Sequence, residues 1–432
     1  MSPADPNPRA ERFSRLKGTH DILPAQVPAW RHLEKTVADV MSRSGYHEIR
    51  TPIFERTELF SRGVGAQTDL VGKEMYTFED QGGKSLTLRP ELTASIVRAY
   101  LQHNLDRDSP LSRLYYLGPL FRQERPQKGR QRQFHQFGLE ALGSPHPEQD
   151  VEVISIAWEL CRALAGGELT MRINTIGSPG SRAGYLDLLR QSLEPFKAGM
   201  GENDARRLAT NPLRLFDTKD PQMRALLQEH APKISEHVSA ADSDHYAAVQ
   251  AGLDTLDIPF ASDPTLVRGL DYYTRTTFEI TSPVLGAQDA LCGGGRYDGL
   301  VAQLGGPSTP AVGFAAGIER LLLAATESGH EPAPAETPDV YMAATGDDLI
   351  PQATALTHEL RKGGLSVVQE VMRRSLKAQL REANRLGCRF AVIMGDTAGA
   401  NKGMAVVKNM TSGEQTELPL DEIVAEIRSS LG

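Results

Sequence analysis

The stretch from Arg113 to Leu142 reads RLYYLGPLFRQERPQKGRQRQFHQFGLEAL. Its two ends, Arg113–Glu124 and Gln133–Leu142, are rich in aromatic and aliphatic residues, which favours two long strands. Between them lies a short polar loop rich in arginine. Strands joined directly by a short loop pair in the antiparallel sense. The stretch therefore predicts an antiparallel sheet in the N-terminal part of the chain.

The second of these strands carries an unusual set of side chains. Successive side chains of a strand point to opposite faces. One face is an ordinary core face, formed by Phe137, Leu139 and Ala141. The other face carries the aromatic ring of Phe134, the amide of Gln136 and the carboxylate of Glu140, with no side chain at Gly138. In a lone strand this would be a solvent face, but Arg122 and Glu124 share one face of the partner strand. Both charge signs in one cleft suit a zwitterionic ligand joined to a phosphate.

Two further segments place charged residues near strand ends. In LRPELT (Leu88–Thr93), Glu91 precedes a helix and either favours the helix dipole or captures a substrate ammonium group. In LVRGLDYYTRTTFEI (Leu266–Ile280), Arg268 stands beside Gly269 at the entrance of a strand. Arginine offers a rigid bidentate fork and glycine allows close approach, so this pair favours contact with an anion.

A third segment, VGFAAGIERLLLA (Val312–Ala324), leads from small residues into a helix with an apolar face. The helix alone indicates core packing. Glu319 and Arg320 are the anomaly, because a charged side chain in an apolar run needs a partner or a ligand.

The composition is that of an ordinary globular chain. It has 432 residues, 40% hydrophobic and 24% charged, which predicts two or three domains. The net charge of −8 argues at first sight against a nucleic-acid partner, but phosphate binding needs only a local basic patch. The loop RQERPQKGRQRQ at residues 122–133 is such a patch, although by itself it would indicate a solvated surface hairpin.

Cysteine usage and hydropathy bear on the compartment. Cys161, Cys292 and Cys388 are far apart, with neither a CxxC motif nor zinc-ligand spacing, which favours a reducing compartment and no structural metal site. The opening residues lack the apolar core of a targeting signal, and the most apolar stretch, Ala311–Ala325, is too short to span a bilayer. We expect a cytoplasmic protein that does not contact a membrane.

The pattern along the chain predicts a divided architecture. ESGHEPAPAETPD (Glu327–Asp339) has no hydrophobic period and is the best linker candidate. Alternating strands and helices after it predict a compact α/β domain, whereas the part before it mixes long strands and helices without a βαβ rhythm. We expect an N-terminal domain in two parts (1–176 and 258–326), a helix-rich insertion (177–257), a linker (327–338) and a C-terminal domain (339–432).

At these places the sequence resembles the class II aminoacyl-tRNA synthetases, and among them the histidyl-tRNA synthetase family. Three motifs of the class are matched, by residues 45–55, 118–140 and 313–320. Two further blocks are similar to those of the histidine enzymes: RGLDYYTRTTFE (Arg268–Glu279) and GGGRYDGL (Gly293–Leu300). The likeness runs from Lys17 through the C-terminal domain. It departs at Leu92, where many members have glycine, and this puts only the local backbone geometry in doubt.

The resemblance implies a fold and a reaction. The fold would be an α+β catalytic domain with an antiparallel sheet, a helical insertion and a C-terminal α/β domain that binds the anticodon. The first motif would contribute to a homodimer interface. The reaction would join L-histidine to ATP as histidyl-adenylate and then transfer histidine to tRNA(His). Mg²⁺ would accompany ATP, with no permanent cofactor and no protein metal site.

The resemblance also implies roles for individual residues. Arg122 would bridge the amino-acid carboxylate and the α-phosphate, and Arg268 would approach that phosphate from the other side. Contacts to histidine would come from Glu91, Thr93, Gln136, Glu140, Tyr272, Tyr273 and Tyr297, with Glu140 and Tyr273 at the imidazole. Contacts to ATP would come from Arg122, Glu124, Phe134 and Arg320, with Phe134 stacked on adenine and Arg320 on the far phosphates. Contacts to the tRNA acceptor end would come from Lys128, Arg130 and Arg132.

Three other functions are compatible with parts of the sequence. A non-catalytic, synthetase-like regulatory subunit of histidine biosynthesis would bind histidine, but such proteins typically lack an anticodon-binding domain and have eroded motifs. A class II enzyme for threonine, proline or glycine would lack the block at Arg268–Glu279. A scaffold would leave the charged residues in apolar surroundings unexplained.

Overall fold

The computed structural model describes residues 13–65, 68, 70–218, 220–330, 337–395 and 403–431. The chain divides into two compact units, Met1–Ala333 and Pro334–Gly432. Much of the linker predicted at 327–338 falls on residues 331–336, which lie outside the described residues. No helix in the described ranges combines the length and the apolar character needed to cross a membrane.

The first unit contains both strands and helices. Its strands β1 to β11 are His47–Glu48, Phe54–Arg56, Tyr76–Glu79, Ser85–Leu88, Ser112–Phe121, Gln133–Leu142, Thr170–Thr175, Ala261–Ser262, Thr274–Thr281, Ala290–Arg296 and Ala311–Gly317. Its helices α1 to α10 are Val27–Arg43, Thr57–Val64, Thr93–Gln102, Pro147–Ala165, Pro179–Leu193, Glu202–Thr210, Pro221–His230, Ala240–Thr255, Leu300–Gln303 and Ile318–Glu327. Short 3-10 turns, among them Pro212–Asp217, connect several of them.

Most of the strands belong to one large sheet. Eight strands of the described chain pair in the order β1-β5-β6-β11-β10-β9-β7-β8. The pairs between β5 and β9 are antiparallel, and the outer pairs β1–β5 and β7–β8 are parallel. A smaller antiparallel sheet has the order β2-β4-β3. The antiparallel sheet predicted from the long hairpin is confirmed.

Helices cover one face of the large sheet. Along α1 the buried residues Leu33, Val37, Val40 and Met41 recur at helical spacing. Together with α4, α8 and α10 they pack on a core that includes Phe137, Leu139 and Ala141. The face predicted as core from strand alternation is therefore the helix-covered face, and the face of Gln136 and Glu140 is left for a site.

The helices α5 to α8 lie between β7 and β8 in the chain, and residues of α5, α6 and α7 contribute to a second apolar cluster. Tyr185, Leu189 and Leu215 are buried there together with Tyr272 and Tyr273, which precede β9. The last helix, α8, also packs on α4 through Val249 and Leu253 in the main core. This helical segment is thus joined to the sheet at its end and to the tyrosine pair along its side.

The long hairpin differs in one detail from the sequence-based expectation. Its first strand was predicted to run to Glu124 but ends at Phe121. Beyond that point the N–H of Arg122 still donates to the carbonyl of Arg132 at 2.9 Å, but the N–H of Arg132 donates to the carbonyl of Gly18 at 2.7 Å, so the N-terminal segment takes over one side of the pairing. Pro126 also has no N–H to offer to a ladder.

The second unit is a small α/β domain. Its elements in chain order are β12 Val340–Ala344, α11 Ile350–Lys362, β13 Val367–Gln369, α12 Leu376–Arg385, β14 Phe390–Met394, β15 Met404–Asn409, β16 Gln415–Pro419 and α13 Ile423–Leu431. Its sheet has the order β13-β12-β14-β15-β16. Val340 and Met342 face the cluster under α11 and α13, and Tyr341 and Ala343 face the one under α12. The predicted C-terminal α/β domain is confirmed.

Candidate active site

Two adjoining cavities lie on the open face of the large sheet. The larger has a volume of about 1200 Å³ and the smaller of about 90 Å³. Both are lined by Arg122, Gln136, Arg268 and Tyr273. Because the cavities meet at two arginines, bound molecules can place a small polar group in the smaller cavity, a large body in the larger cavity and negative charge between them.

Glu140 is the central polar group of the smaller cavity and is 1% exposed. Its carboxyl group accepts hydrogen bonds from the hydroxyl groups of Thr93 at 2.8 Å, Tyr297 at 2.5 Å and Tyr116 at 3.3 Å. Burial, with a further contribution from the Glu91 carboxylate, raises the pKa of Glu140 to about 8. Near neutral pH the group is therefore predominantly protonated and can itself donate a hydrogen bond.

Three tyrosine rings form an aromatic wall of the smaller cavity. The ring of Tyr272 lies 4.7 Å from that of Tyr273 and 5.6 Å from that of Tyr297, measured between centroids. Burial raises the pKa of each hydroxyl, which keeps all three neutral. Flat apolar walls with a few polar atoms match a small aromatic ring that carries hydrogen-bonding nitrogens.

Glu91 also lines the smaller cavity, and its carboxylate caps the N-terminus of helix α3. Its two oxygens accept hydrogen bonds from the backbone N–H groups of Thr93 at 2.7 Å and Ala94 at 2.9 Å. These contacts satisfy donors that a helix start leaves without partners. Burial raises the pKa of Glu91. The sequence allowed two roles for Glu91, interaction with the start of the helix or capture of a substrate ammonium group. The structure shows the contact with the helix start.

Arg122 and Arg268 stand where the two cavities meet. Arg122 donates from Nε to the carbonyl of Pro90 at 2.9 Å, and its guanidinium lies 5.2 Å from the ring centroid of Phe134. Arg268 donates from Nη1 to Glu279 at 2.7 Å. Its Nε is buried and has no hydrogen-bond partner among the described residues, so the donor is available to an anionic ligand.

Glycines on the sheet leave room for these side chains. A Cβ at Gly293 in β10 would overlap the Arg268 guanidinium, and a Cβ at Gly313 in β11 would overlap the Glu140 carboxylate. The guanidinium and the carboxyl group therefore lie against the sheet, and a larger residue beneath either of them would displace it into the cavity.

The described lining of the larger cavity contains six arginines and six acidic residues, and Arg320 is one of these arginines. Arg320 donates to the carbonyl groups of Gly129 at 2.9 Å and Ala290 at 2.8 Å. Burial, and after it the nearby cation of Arg130, lowers the pKa of Arg320. Glu319, its neighbour, accepts from the backbone N–H of His135 at 2.9 Å and joins α10 to β6. Both anomalous charges in this helix thus have hydrogen-bond partners in the protein, and both line the larger cavity.

The basic loop does not behave as one unit. Arg130 pairs with Glu124 at 3.0 Å and lines the larger cavity. Arg132 donates to the carbonyl of Glu124 at 3.3 Å. Lys128 is 66% exposed in its side chain and pairs with Glu327 at the rim. The loop thus holds Glu124 in place and presents one lysine to solvent.

Some residues of the site were missed by sequence reasoning. Arg214 and Asp217, from the turn between α6 and α7, line the larger cavity beside Arg268. Little in the polar sequence around them marks them out. Glu279 could have been found, because alternation along β9 places it on the face of Thr277, toward the open side of the sheet.

Comparison with known proteins gives a family for both units. The profile of the family described as histidyl-tRNA synthetase matches residues 18–321. The profile described as anticodon binding domain matches residues 339–430.

Individual relatives agree over nearly the whole chain. The histidine–tRNA ligase of Synechococcus sp. (strain JA-3-3Ab) is 45% identical over 414 residues, covering 96% of this chain and 98% of that protein. The histidine–tRNA ligase of Geobacillus thermodenitrificans (strain NG80-2) is 46% identical over 417 residues, covering 96% and 97%. The crystal structure of apo S. aureus histidyl-tRNA synthetase superposes with a TM-score of 0.81 at 37% identity, covering 96% of this chain and all of that one.

Proposed function

This chain belongs to the histidyl-tRNA synthetase family, and from that premise we propose that it activates L-histidine with ATP and transfers it to tRNA(His). The observation that carries the proposal is the junction of the two cavities at Arg122 and Arg268. An amino acid in the smaller cavity and ATP in the larger one would bring carboxylate and α-phosphate together between these guanidinium groups.

The first step needs position and charge rather than a protein nucleophile. A carboxylate oxygen of histidine forms a bond to the α-phosphorus, the bond from that phosphorus to the bridging oxygen breaks, and pyrophosphate leaves. Negative charge grows on the phosphoryl oxygens as this happens. Arg122 and Arg268 would neutralise it from two sides, and preorganised donors of this kind are a large term in catalysis.

Recognition of the imidazole rests on the smaller cavity. We assign Glu140 and Tyr273 to the two ring nitrogens, with Tyr272 and Tyr297 as the neighbouring wall. A site whose buried polar groups need specific partners rejects analogues without them by a wide margin. Glu91, Thr93 and Gln136 would hold the amino and carboxylate end.

The larger cavity suits the nucleotide. Phe134 would stack on adenine, Glu124 would orient the base, and Arg320 would meet the far phosphates. Mg²⁺ would enter as part of the ATP substrate. Among the described residues, no group of three or more His, Cys, Asp or Glu side chains is arranged to hold a metal ion.

The partners extend the proposal beyond the small molecules. We assign the C-terminal unit to the anticodon, since its profile is that of an anticodon binding domain. Lys128, Arg130 and Arg132 would contact the acceptor end. We infer that the protein works as a homodimer in the cytoplasm. Exposed Phe54 and Phe78, 6.5 Å apart between ring centroids, form an apolar patch beside the motif at residues 45–55 and support the dimer.

The test is histidine-dependent exchange between ATP and pyrophosphate, run without tRNA against a panel of other amino acids. Exchange with histidine alone, followed by charging of tRNA(His), is the expected outcome. Folded protein that binds histidine without exchange would instead indicate a regulatory protein, and exchange with another amino acid would refute the assigned specificity.

A further inference from the structure

The helical segment, residues 179–255, contacts the entrance of β9 at three alternate positions. Arg214 donates to the carboxylate of Asp271 at 2.9 Å. Arg182 donates to the carbonyl oxygen of Tyr273 at 2.6 Å. The Nε of Arg275 donates to Asp242 at 2.8 Å. The alternate residues 271, 273 and 275 thus each have a charged partner in the helical segment.

The backbone at the third of these positions is unusual. Arg275 has φ +48°, in the left-handed region that non-glycine residues rarely adopt. The β9–β10 register also shifts here, because Thr277 pairs with Gly295 whereas Thr274 pairs with Arg296. A bulge of this kind redirects the side chains before it, and it persists only where the surroundings hold it.

Asp242 is the anchor for that bulge. It is 1% exposed and accepts hydrogen bonds from the N–H and hydroxyl of Ser178 and the hydroxyl of Ser181, besides the one from Arg275. These contacts tie the starts of α5 and α8 to one carboxylate. Burial alone would raise the pKa of Asp242, but the hydrogen bonds from Ser181 and Ser178 outweigh it and lower the pKa.

The second hold is equally direct. Arg182 lies on α5 and donates to the carbonyl groups of Tyr273 and Gly177. Burial lowers the pKa of Arg182. A buried guanidinium on a main-chain carbonyl fixes the peptide that carries the tyrosine, whatever the ring itself contacts.

Apolar packing completes the connection. Tyr272 and Tyr273 belong to the same buried cluster as Tyr185, Leu189 and Leu215 of the helical segment. The tyrosine rings of the smaller cavity and the apolar residues of the helical segment therefore share one buried core.

We propose that the helical segment positions the residues that recognise the histidine side chain, with Arg182, Asp242 and Arg214 as positioning residues for Tyr272 and Tyr273. This inference rests on the proposed function, in which these tyrosines meet the imidazole. Because binding and positioning are linked, histidine in turn stabilises the docked helical segment. Of the described residues that line the nucleotide cavity, the helical segment supplies Arg214 and Asp217, and the others, which come from other elements, are unaffected by a change at Asp242.

The experiment compares Asp242→Asn with Asp254→Asn, an exposed carboxylate on the same helix. Pyrophosphate exchange is measured against histidine and against ATP, and selectivity is measured with the histidine analogue 1,2,4-triazole-3-alanine. We expect Asp242→Asn to raise KM for histidine about 10- to 100-fold, because small displacements of positioning groups have effects of this size, with KM for ATP unchanged. Its preference for histidine over the analogue should shrink, and Asp254→Asn should match the wild type.

A second variant and a second measurement guard against a folding defect. In Arg275→Gly the backbone at position 275 can keep its left-handed conformation, because glycine adopts positive φ freely, but the contact to Asp242 is lost. This variant should show the same rise in KM for histidine as Asp242→Asn. In the wild-type protein, hydrogen exchange of α5 and α8 should slow on adding histidine and stay unchanged on adding ATP.

The outcomes separate the two proposals. Wild-type protein without histidine-dependent exchange would contradict the proposed function itself. If the wild type shows pyrophosphate exchange but the variants lose kcat, or change KM for histidine and KM for ATP equally, the positioning role would be overturned. Amide hydrogen exchange in α5 and α8 that does not respond to histidine would overturn it as well.

Discussion

The guanidinium of Arg268 lies over Gly293, in the space that a Cβ at position 293 would occupy. Arg268 approaches from the loop before β9, whereas Gly293 belongs to the neighbouring strand β10. The absence of a side chain at one residue thus decides where the charge of the other stands. Glu279, paired with position 293 across the strands, holds Nη1 of that guanidinium.

Removal of the arginine tests its role directly. We expect Arg268→Ala to fold and to lose about two to three decades of adenylation rate, comparable to deletion of one preorganised donor in a transition-state site. Single-turnover adenylate formation measures the effect. The control is Arg190→Ala, on the exposed pair with Asp187. A folded Arg268→Ala protein with a near-normal rate would remove Arg268 from the mechanism.

Gly293→Ala should reproduce much of that loss without unfolding the protein. The three atoms nearest to the added methyl group all belong to the guanidinium of Arg268, the end of a flexible side chain, so we expect the guanidinium to move and the sheet to remain. Gly294→Ala differs, because its methyl group would meet backbone atoms of Gly313 and Phe314, and it should lower the melting temperature. Exchange assays and thermal unfolding distinguish the two. If Gly293→Ala acts by displacing Arg268, the double variant Arg268→Ala, Gly293→Ala should be no slower than Arg268→Ala alone. A double variant in which the two losses of rate add as free energies would contradict this shared cause.

The buried Glu140 predicts a pH-dependent stability. Its pKa is raised from 4.5 to about 8 in the folded protein. Between these values the folded state binds the proton more tightly than the unfolded state, so stability is highest below the ordinary pKa and falls as pH rises toward 8. Glu140→Gln cannot ionise. Its melting temperature should therefore improve relative to the wild type between about pH 5.5 and about pH 8.5, and a constant difference would refute the assignment.

The basic loop predicts a separation of the two reaction steps. Lys128→Ala should weaken tRNA charging and reduce the slope of log affinity against log salt by about one, while exchange is spared. Arg130→Ala should impair both steps, because Arg130 also pairs with Glu124 in the larger cavity. Lys35→Ala on α1 is the exposed control. Parallel loss of exchange and charging in Lys128→Ala would count against the contact.

The apolar patch predicts the behaviour of the assembly. Phe54 is 51% and Phe78 45% exposed in the single chain. Phe54→Asp would bury a charge if these rings lie in an interface, so light scattering should find monomers where the wild type forms dimers. A comparable charge at an exposed site on another element, such as Gln228→Asp on α7, should leave the assembly unchanged. A dimeric Phe54→Asp protein would place the interface elsewhere.

The sequence alone predicted the architecture and many of the residues that line the two cavities. Alternation along Gln133–Leu142 separated the core face from the face of Gln136 and Glu140, because side-chain direction in a strand is a local property of the chain. The arginine at position 268 was recognisable from its neighbours Gly269 and Asp271. Family motifs and a change of rhythm after residue 327 identified the two kinds of domain.

Only the tertiary structure decided how these pieces work together. In the structure the first hairpin strand ends at Phe121, and the carboxylate of Glu91 caps helix α3. Glu319 accepts a hydrogen bond from His135 in β6. The fold also brings Arg182 to Tyr273, 91 positions away along the chain. Periodicity records which face a residue takes, but a contact between distant segments depends on how whole elements pack, and no local pattern contains that information.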